Sequence, residues 1–283
     1  NISAGSGGGI RSSAGANTTV EKVTITDNSA AVQGAAAFIE FNSNFTVHNS
    51  IIFENVDNNT SEIFVAASSP ETDLTIEYSD IAGGDSAIAY ENATEYTLSL
   101  TNLNINPNFV DPIGNNYNLL ATSRCIDAGH PDSTDSDGTR ADIGAYPYEN
   151  SYSGPSWHVS VDGSDISGTG ELSNPFASVQ AGINFSSHGD TVLVQPGTYI
   201  ENINFNGKNI VLGSMFLTTQ DTSYIAQTVI DGNQNGSVVQ IIDCEYAQIT
   251  GLTIQNGTGT LIEAYLPWQG GGGVYSYNSG LSI

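Results

Sequence analysis

Hydrophobic and polar residues alternate along this chain in short bursts. "VTITDNS" at 23–29, "FTVHNS" at 45–50, "LTIEYSD" at 74–80 and "LSLTNLN" at 98–104 each set apolar positions against small polar ones. "IVLGS" at 210–214 and "LTIQNG" at 252–257 continue the series. Alternation with period two predicts strands that turn one face inward. The Asn, Asp, Ser or Gly that follows suits a sharp corner, since Asn and Gly accept left-handed backbone. The first four bursts start 22, 29 and 24 residues apart. That is solenoid spacing, about twice the ~8–12 residues of a hairpin-linked sandwich. The pattern predicts an all-β chain folded as a parallel β-helix.

One segment breaks the pattern with a helical period. "NPFASVQAGINFSS" at 174–187 offers Asn174 as N-cap and Pro175 in the first turn, with Phe176, Val179 and Ile183 on one face. A solenoid needs a cover over its first coil, so this helix is expected to cap a β-helix that begins near Trp157. Just before it, "SRCIDAGHPDSTDSDGTRADIGAYPYE" at 123–149 ends the earlier repeats in an Asp- and Gly-rich loop, and "NSYSGPS" at 150–156 reads as a linker. The expected organisation is therefore 1–149, the closing part of one β-helix; 150–156, a linker; and 157–283, the opening part of the next.

The segment "CIDAGHPD…DSDGTRADIGAY" resembles the motif that closes the β-helices of large bacterial and archaeal surface proteins of the "choice-of-anchor" type. Residues 159–214, from "VSVDGSDISGTG" to "NIVLGS", are similar to the opening segment of the same proteins, which belong to the pectate-lyase-like superfamily. The resemblance implies a right-handed helix and an extracellular, cell-surface location. It says little about function, because that fold carries lyases, hydrolases, adhesins and inert stalks alike. In the family the opening segment precedes the closing one, and here the order is reversed. Both ends carry a glycine run followed by a β-branched residue: Gly7, Gly8, Gly9 and Ile10 at the head, and Gly272, Gly273 and Val274 at the tail, which runs on to Ile283. Reading 157–283 and then 1–149 gives one complete β-helix. Two accounts stay open. Either the chain is one period of an array, formed as a tandem repeat or by separate chains that self-associate head to tail, or it covers part of two unrelated β-helix domains.

Composition narrows the partners. Lys and Arg number 5 against 30 Asp and Glu, a formal net charge of −25. Nucleic acid and anionic membrane are repelled by such a surface; divalent cations or a screening salt medium suit it. No apolar run approaches the ~20 residues of a membrane span. The chain lacks an initiator Met, which implies processing or a longer parent. Cys125 and Cys244 follow no metal-ligand spacing and fit either a disulfide or two buried thiols.

Candidate chemistry is sparse. Asp132, Asp135 and Asp137, with Gly138 for a tight turn, form a carboxylate cluster suited to calcium; the alternative is a solvated acidic turn partly neutralised by Arg140. Tyr265 and Trp268 in "IEAYLPWQGGGG" could stack on a sugar ring, or simply cover a flank. A lyase would need a base such as Arg11 or Lys22 beside an acidic cluster, and neither has one in sequence. Asp243 and Glu245 qualify as paired carboxylates by count alone. No nucleophile triad emerges from His48, His130, His158 and His188. The expectation is a non-enzymatic structural protein of a surface filament, sheath or adhesin stalk. The alternative is a glycan-binding or lyase-like surface protein.

Overall fold

Short parallel strands dominate the computed structural model, which describes residues 1–57, 61–66, 72–91, 96–261 and 270–283. They form two compact units, Asn1–Glu149 and Asn150–Ile283. In the first unit the chain passes through four parallel sheets and then starts again. The first sheet holds Ile2–Ser3, Ser29–Ala30 and Val56–Asp57. The second holds Ile10–Ser12, Ala37–Ile39, Ile63–Ala66 and Ile88–Glu91. The third contains Asn17–Glu21, Asn44–His48, Asp73–Glu77 and Tyr96–Leu98, and the fourth Thr24–Thr26, Ile51–Phe53 and Asp80–Ile81. Between the first two passes, or turns, Ile2 faces Ser29, Ile10 faces Ala37, Asn17 faces Asn44 and Thr24 faces Ile51, 27 residues apart each time.

This register stacks like on like. Val20, Val47 and Ile76 form one buried column, and Ile25, Ile52 and Ile81 another. Each such side chain is worth roughly 1.5–3 kcal/mol on full burial. The corner between the third and fourth sheets is a column too: Lys22, Asn49 and Tyr78 take φ of 51°, 47° and 47°. Asn is at home there, while Lys22 and Tyr78 are held in the left-handed region by the strands on either side.

The second unit runs through three parallel sheets. Ser156–Val159, Thr191–Val194, Val211–Ser214, Ala247–Thr250 and Leu281–Ser282 form the longest. Gly197–Ile200, Thr228–Asp231 and Thr253–Gln255 form the next, and Ile203–Asn204, Val239–Ile242 and Val274–Tyr277 the last. The helix runs from Val179 to Phe185, shorter than expected, and its N-cap is Ser178, whose Oγ accepts from Ala181 N–H. Asn174 fails as a cap because its carbonyl is taken by Thr169 and Gly170 N–H. Phe176 is bound on both sides to the Ser156–Val159 strand, donating to His158 and accepting from Ser160. Two carboxylates hold the helix start instead. Asp165 accepts from Ala177 and Ser178, and Glu201 from Val179 and Gln180 at 2.8 and 3.0 Å.

Under this helix sits an aromatic plug. Phe176 stacks on Phe185 at 4.9 Å and on Trp157 at 6.3 Å, Tyr152 meets Trp157 edge-on, and Trp157 Nε1 donates to Asp190. In the segment 150–156, Ser151, Ser153 and Pro155 are exposed while other residues make contacts within this unit. Asn150 is buried and donates to Thr169, and Tyr152 joins the plug.

Candidate functional site

The Asp- and Gly-rich loop near the end of the first unit flanks the fourth sheet. Ile52 of the strand Ile51–Phe53 faces the main core, while Ile51 packs with Phe109, Leu119, Cys125 and Ile143. The strand is thus buried on both faces, which its unbroken "IIF" run reflects. From there the loop reaches first-turn residues more than a hundred positions away in sequence. Lys22 Nζ donates to Asp135 Oδ1 at 2.7 Å and Ala145 N–H to Thr24 Oγ1; Tyr117 Oη, just before the loop and 90 positions from its partner, donates to Asp27 Oδ2. Asn49 is the pivot, accepting from His130 N–H on its side chain and from Gly144 N–H on its carbonyl.

The three aspartates proposed for calcium take different partners. Asp135 turns inward, held by Lys22 and by Asp142 N–H. Asp137 accepts from the N–H and Oγ1 of Thr139. Asp132 is exposed, its N–H donating to His130 Nδ1. Among the described residues, no three His, Cys, Asp or Glu side chains gather so as to hold a metal ion. Protein donors bind two of the three carboxylates. Arg140, expected to neutralise an aspartate, donates instead to the Gly129 and Ala128 carbonyls and lies over Tyr78.

Several acids are buried. Asp142 accepts from Asp127 and Tyr148 N–H, yet burial pushes its carboxyl up to about 7. Burial raises Glu62 to about 7 and Asp80 to about 6 in the same unit, and Glu201 to about 7 in the other. Glu62 ends an amide ladder that the strand pattern did not announce. Asn1 Nδ2 donates to Asn28 Oδ1, Asn28 Nδ2 to Asn55 Oδ1, and Asn55 Nδ2 to Glu62 Oε2, each at 2.8 Å. The signal was present in the 27-residue spacing of Asn1, Asn28 and Asn55.

Among the described residues, both outer turns leave strands unpaired on one side. Ile2–Ser3, Ile10–Ser12, Asn17–Glu21 and Thr24–Thr26 are edge strands of the first unit. Thr253–Gln255, Val274–Tyr277 and Leu281–Ser282 are edge strands of the second. The head glycines lie against the second turn: Gly7, Gly8, Gly9 and Ile10 N–H donate to the carbonyls of Gln33, Gly34, Ala35 and Ala36 at 2.9–3.2 Å. The tail glycines accept. Val238 and Val239 N–H donate to the Gly272 and Gly273 carbonyls at 3.0 Å, and Ser237 Oγ to that of Gly271 at 2.7 Å. Ile283 is 83% exposed.

A separate groove of about 620 Å³ crosses the longest sheet of the second unit, lined by Asn209, Glu245, Tyr246, Gln248 and Leu281 among others. Its register column is Gly189, Asn209, Tyr246 and Gly280, so the Tyr246 ring, 73% exposed, has a glycine at either end of the column. Tyr265 and Trp268, proposed for sugar stacking, lie outside the described residues. Cys125 and Cys244 are both buried and free. No protein-family model matches the chain, and no curated protein or solved structure matches it either.

Proposed function

We propose that this chain is a structural element of an extracellular surface filament, sheath or stalk. In this reading its parallel sheets are the faces of a right-handed β-helix, the helix Val179–Phe185 caps one coil, and the stack continues head to tail. The neighbour is a second copy or an adjoining repeat. The observation that carries the reading is the pair of open turns, whose edge strands offer unpaired backbone groups to a neighbour. The dispersed acidic charge keeps such fibres apart in solution. Calcium would act on that charge by screening, without a three-carboxylate cage. Sedimentation and negative-stain microscopy of the purified chain, at rising concentration and moderate salt, test the reading. Regular fibres are expected; a monomer at every concentration overturns it.

A second reading, glycan binding, is favoured by the exposed Tyr246 ring in its groove beside amide side chains. Oligosaccharide titration with a Tyr246→Ala control tests it, and wild-type binding that survives the substitution counts against this site.

A further inference from the structure

The two glycine runs have opposite hydrogen-bonding polarity. Every peptide in them is trans, since the cis bond among the described residues is Gly154–Pro155. In a trans peptide the N–H of one residue and the C=O of the residue before it point in opposite directions. At the head, Gly8, Gly9 and Ile10 N–H point to the second turn, so the Gly7, Gly8 and Gly9 carbonyls point away from it, out of the open end. At the tail, the Gly271, Gly272 and Gly273 carbonyls point back to Ser237, Val238 and Val239. The Gly272, Gly273 and Val274 N–H groups therefore point out of that open end. One end offers three acceptors and the other three donors.

The same polarity runs through the interior. Ala35 and Ala36 accept from the first turn on their carbonyls and donate to Ser61 and Glu62 in the third. Val238 accepts from Ile203 and donates to Gly272. In both units the N–H of this column faces forward and the C=O faces back. Close approach explains the glycines: a Cβ on Gly8 would lie 2.4 Å from the Ala35 carbonyl oxygen, and one on Gly272 2.6 Å from that of Gly257.

We infer that the tail N–H groups of Gly272, Gly273 and Val274 bond the head carbonyls of Gly7, Gly8 and Gly9 of a second copy. The joint is directional. Head against head would set carbonyl against carbonyl, and tail against tail N–H against N–H, so only head to tail closes and the fibre is polar. This rests on the head-to-tail reading above and specifies its chemistry.

Backbone exchange and two substitutions test it. On assembly, the amides of Gly272, Gly273 and Val274 are expected to exchange at least about tenfold more slowly, while those of Gly8, Gly9 and Ile10, already bonded, stay unchanged. Gly273→Pro removes one outward donor, whereas Gly273→Ala keeps it and adds a methyl that meets only Ile254 Cγ2 at 3.7 Å. The proline variant is expected to need about tenfold more protein to assemble than the alanine variant. Should the proline variant misfold, exchange in the wild type decides. Assembly without tail-amide protection, or equal assembly of two folded variants, overturns this joint and leaves the filament reading standing. A wild type that never assembles overturns both.

Discussion

The two units build similar stacks of parallel strands with different interiors. The first has polar columns: the Asn1, Asn28 and Asn55 ladder ending on buried Glu62, and Ser50 donating its N–H to Ser79 Oγ, both serines fully buried. It also buries Asp80 and Asp142. The second has the aromatic plug of Tyr152, Trp157, Phe176 and Phe185, with buried Asp190 accepting from Trp157 Nε1 and half-buried Glu201 holding the helix start. Amide ladders fix register, because each amide has a single correct partner one turn away, and a slip strands every group in the column. An aromatic plug fills volume and keeps water out, and is indifferent to small slips. The first unit is thus built for register, the second around a packed aromatic cluster.

The largest expected effect breaks the plug. Phe176→Ala should cost about 3–5 kcal/mol, because the ring is fully buried among Trp157 and Phe185 and leaves a cavity that they cannot fill. Denaturation followed by hydrogen exchange should show the loss in residues 150–283, with 1–149 unchanged. An equal loss in both units would break the comparison.

Acidity sharpens it next. Burial raises Glu62, Asp80 and Asp142 in the first unit, so the folded state holds their protons more tightly than the unfolded chain does. The stability they add is complete below the ordinary carboxylate range and is lost as pH rises through about 6 to 7. Each linked proton sets a slope of up to about 1.4 kcal/mol per pH unit. Between pH 5 and pH 8 the first unit should therefore weaken more than the second, where burial raises the half-buried Glu201. Unit-resolved exchange at the two pH values measures this, and a steeper loss in the second unit would contradict it.

The smallest effect lies in the ladder. Asn55→Ala leaves the Asn28 amide and the Glu62 carboxylate without their partner, at a cost of about 1–3 kcal/mol. The loss should appear first as faster exchange at Asn28, whose N–H donates to Asn55 Oδ1. If the variant exchanges like the wild type there, the ladder holds no register.

Strand positions were legible because alternation is local. "FTVH" and "LTIE" became paired strands of the third sheet, with Phe45 over Leu74 and Val47 over Ile76. The helix was legible in kind and missed at its start, since Asn174 and Pro175 look like a cap until the N–H groups of Ser164, Thr169 and Gly170 in the preceding loop claim their carbonyls. The partners of the aspartate cluster were illegible for a similar reason. Closeness in sequence says nothing about direction, and Lys22, 113 residues from Asp135, drew that side chain inward.

From the residues alone came the period-two strands, the acidic surface and the matched glycine runs, for each depends on neighbours within a few positions. Which acids are buried, where the Asp-rich loop lies and which way each glycine peptide points were decided by the fold. Those properties depend on groups a whole turn or a hundred residues away, and become defined only when the turns stack in register.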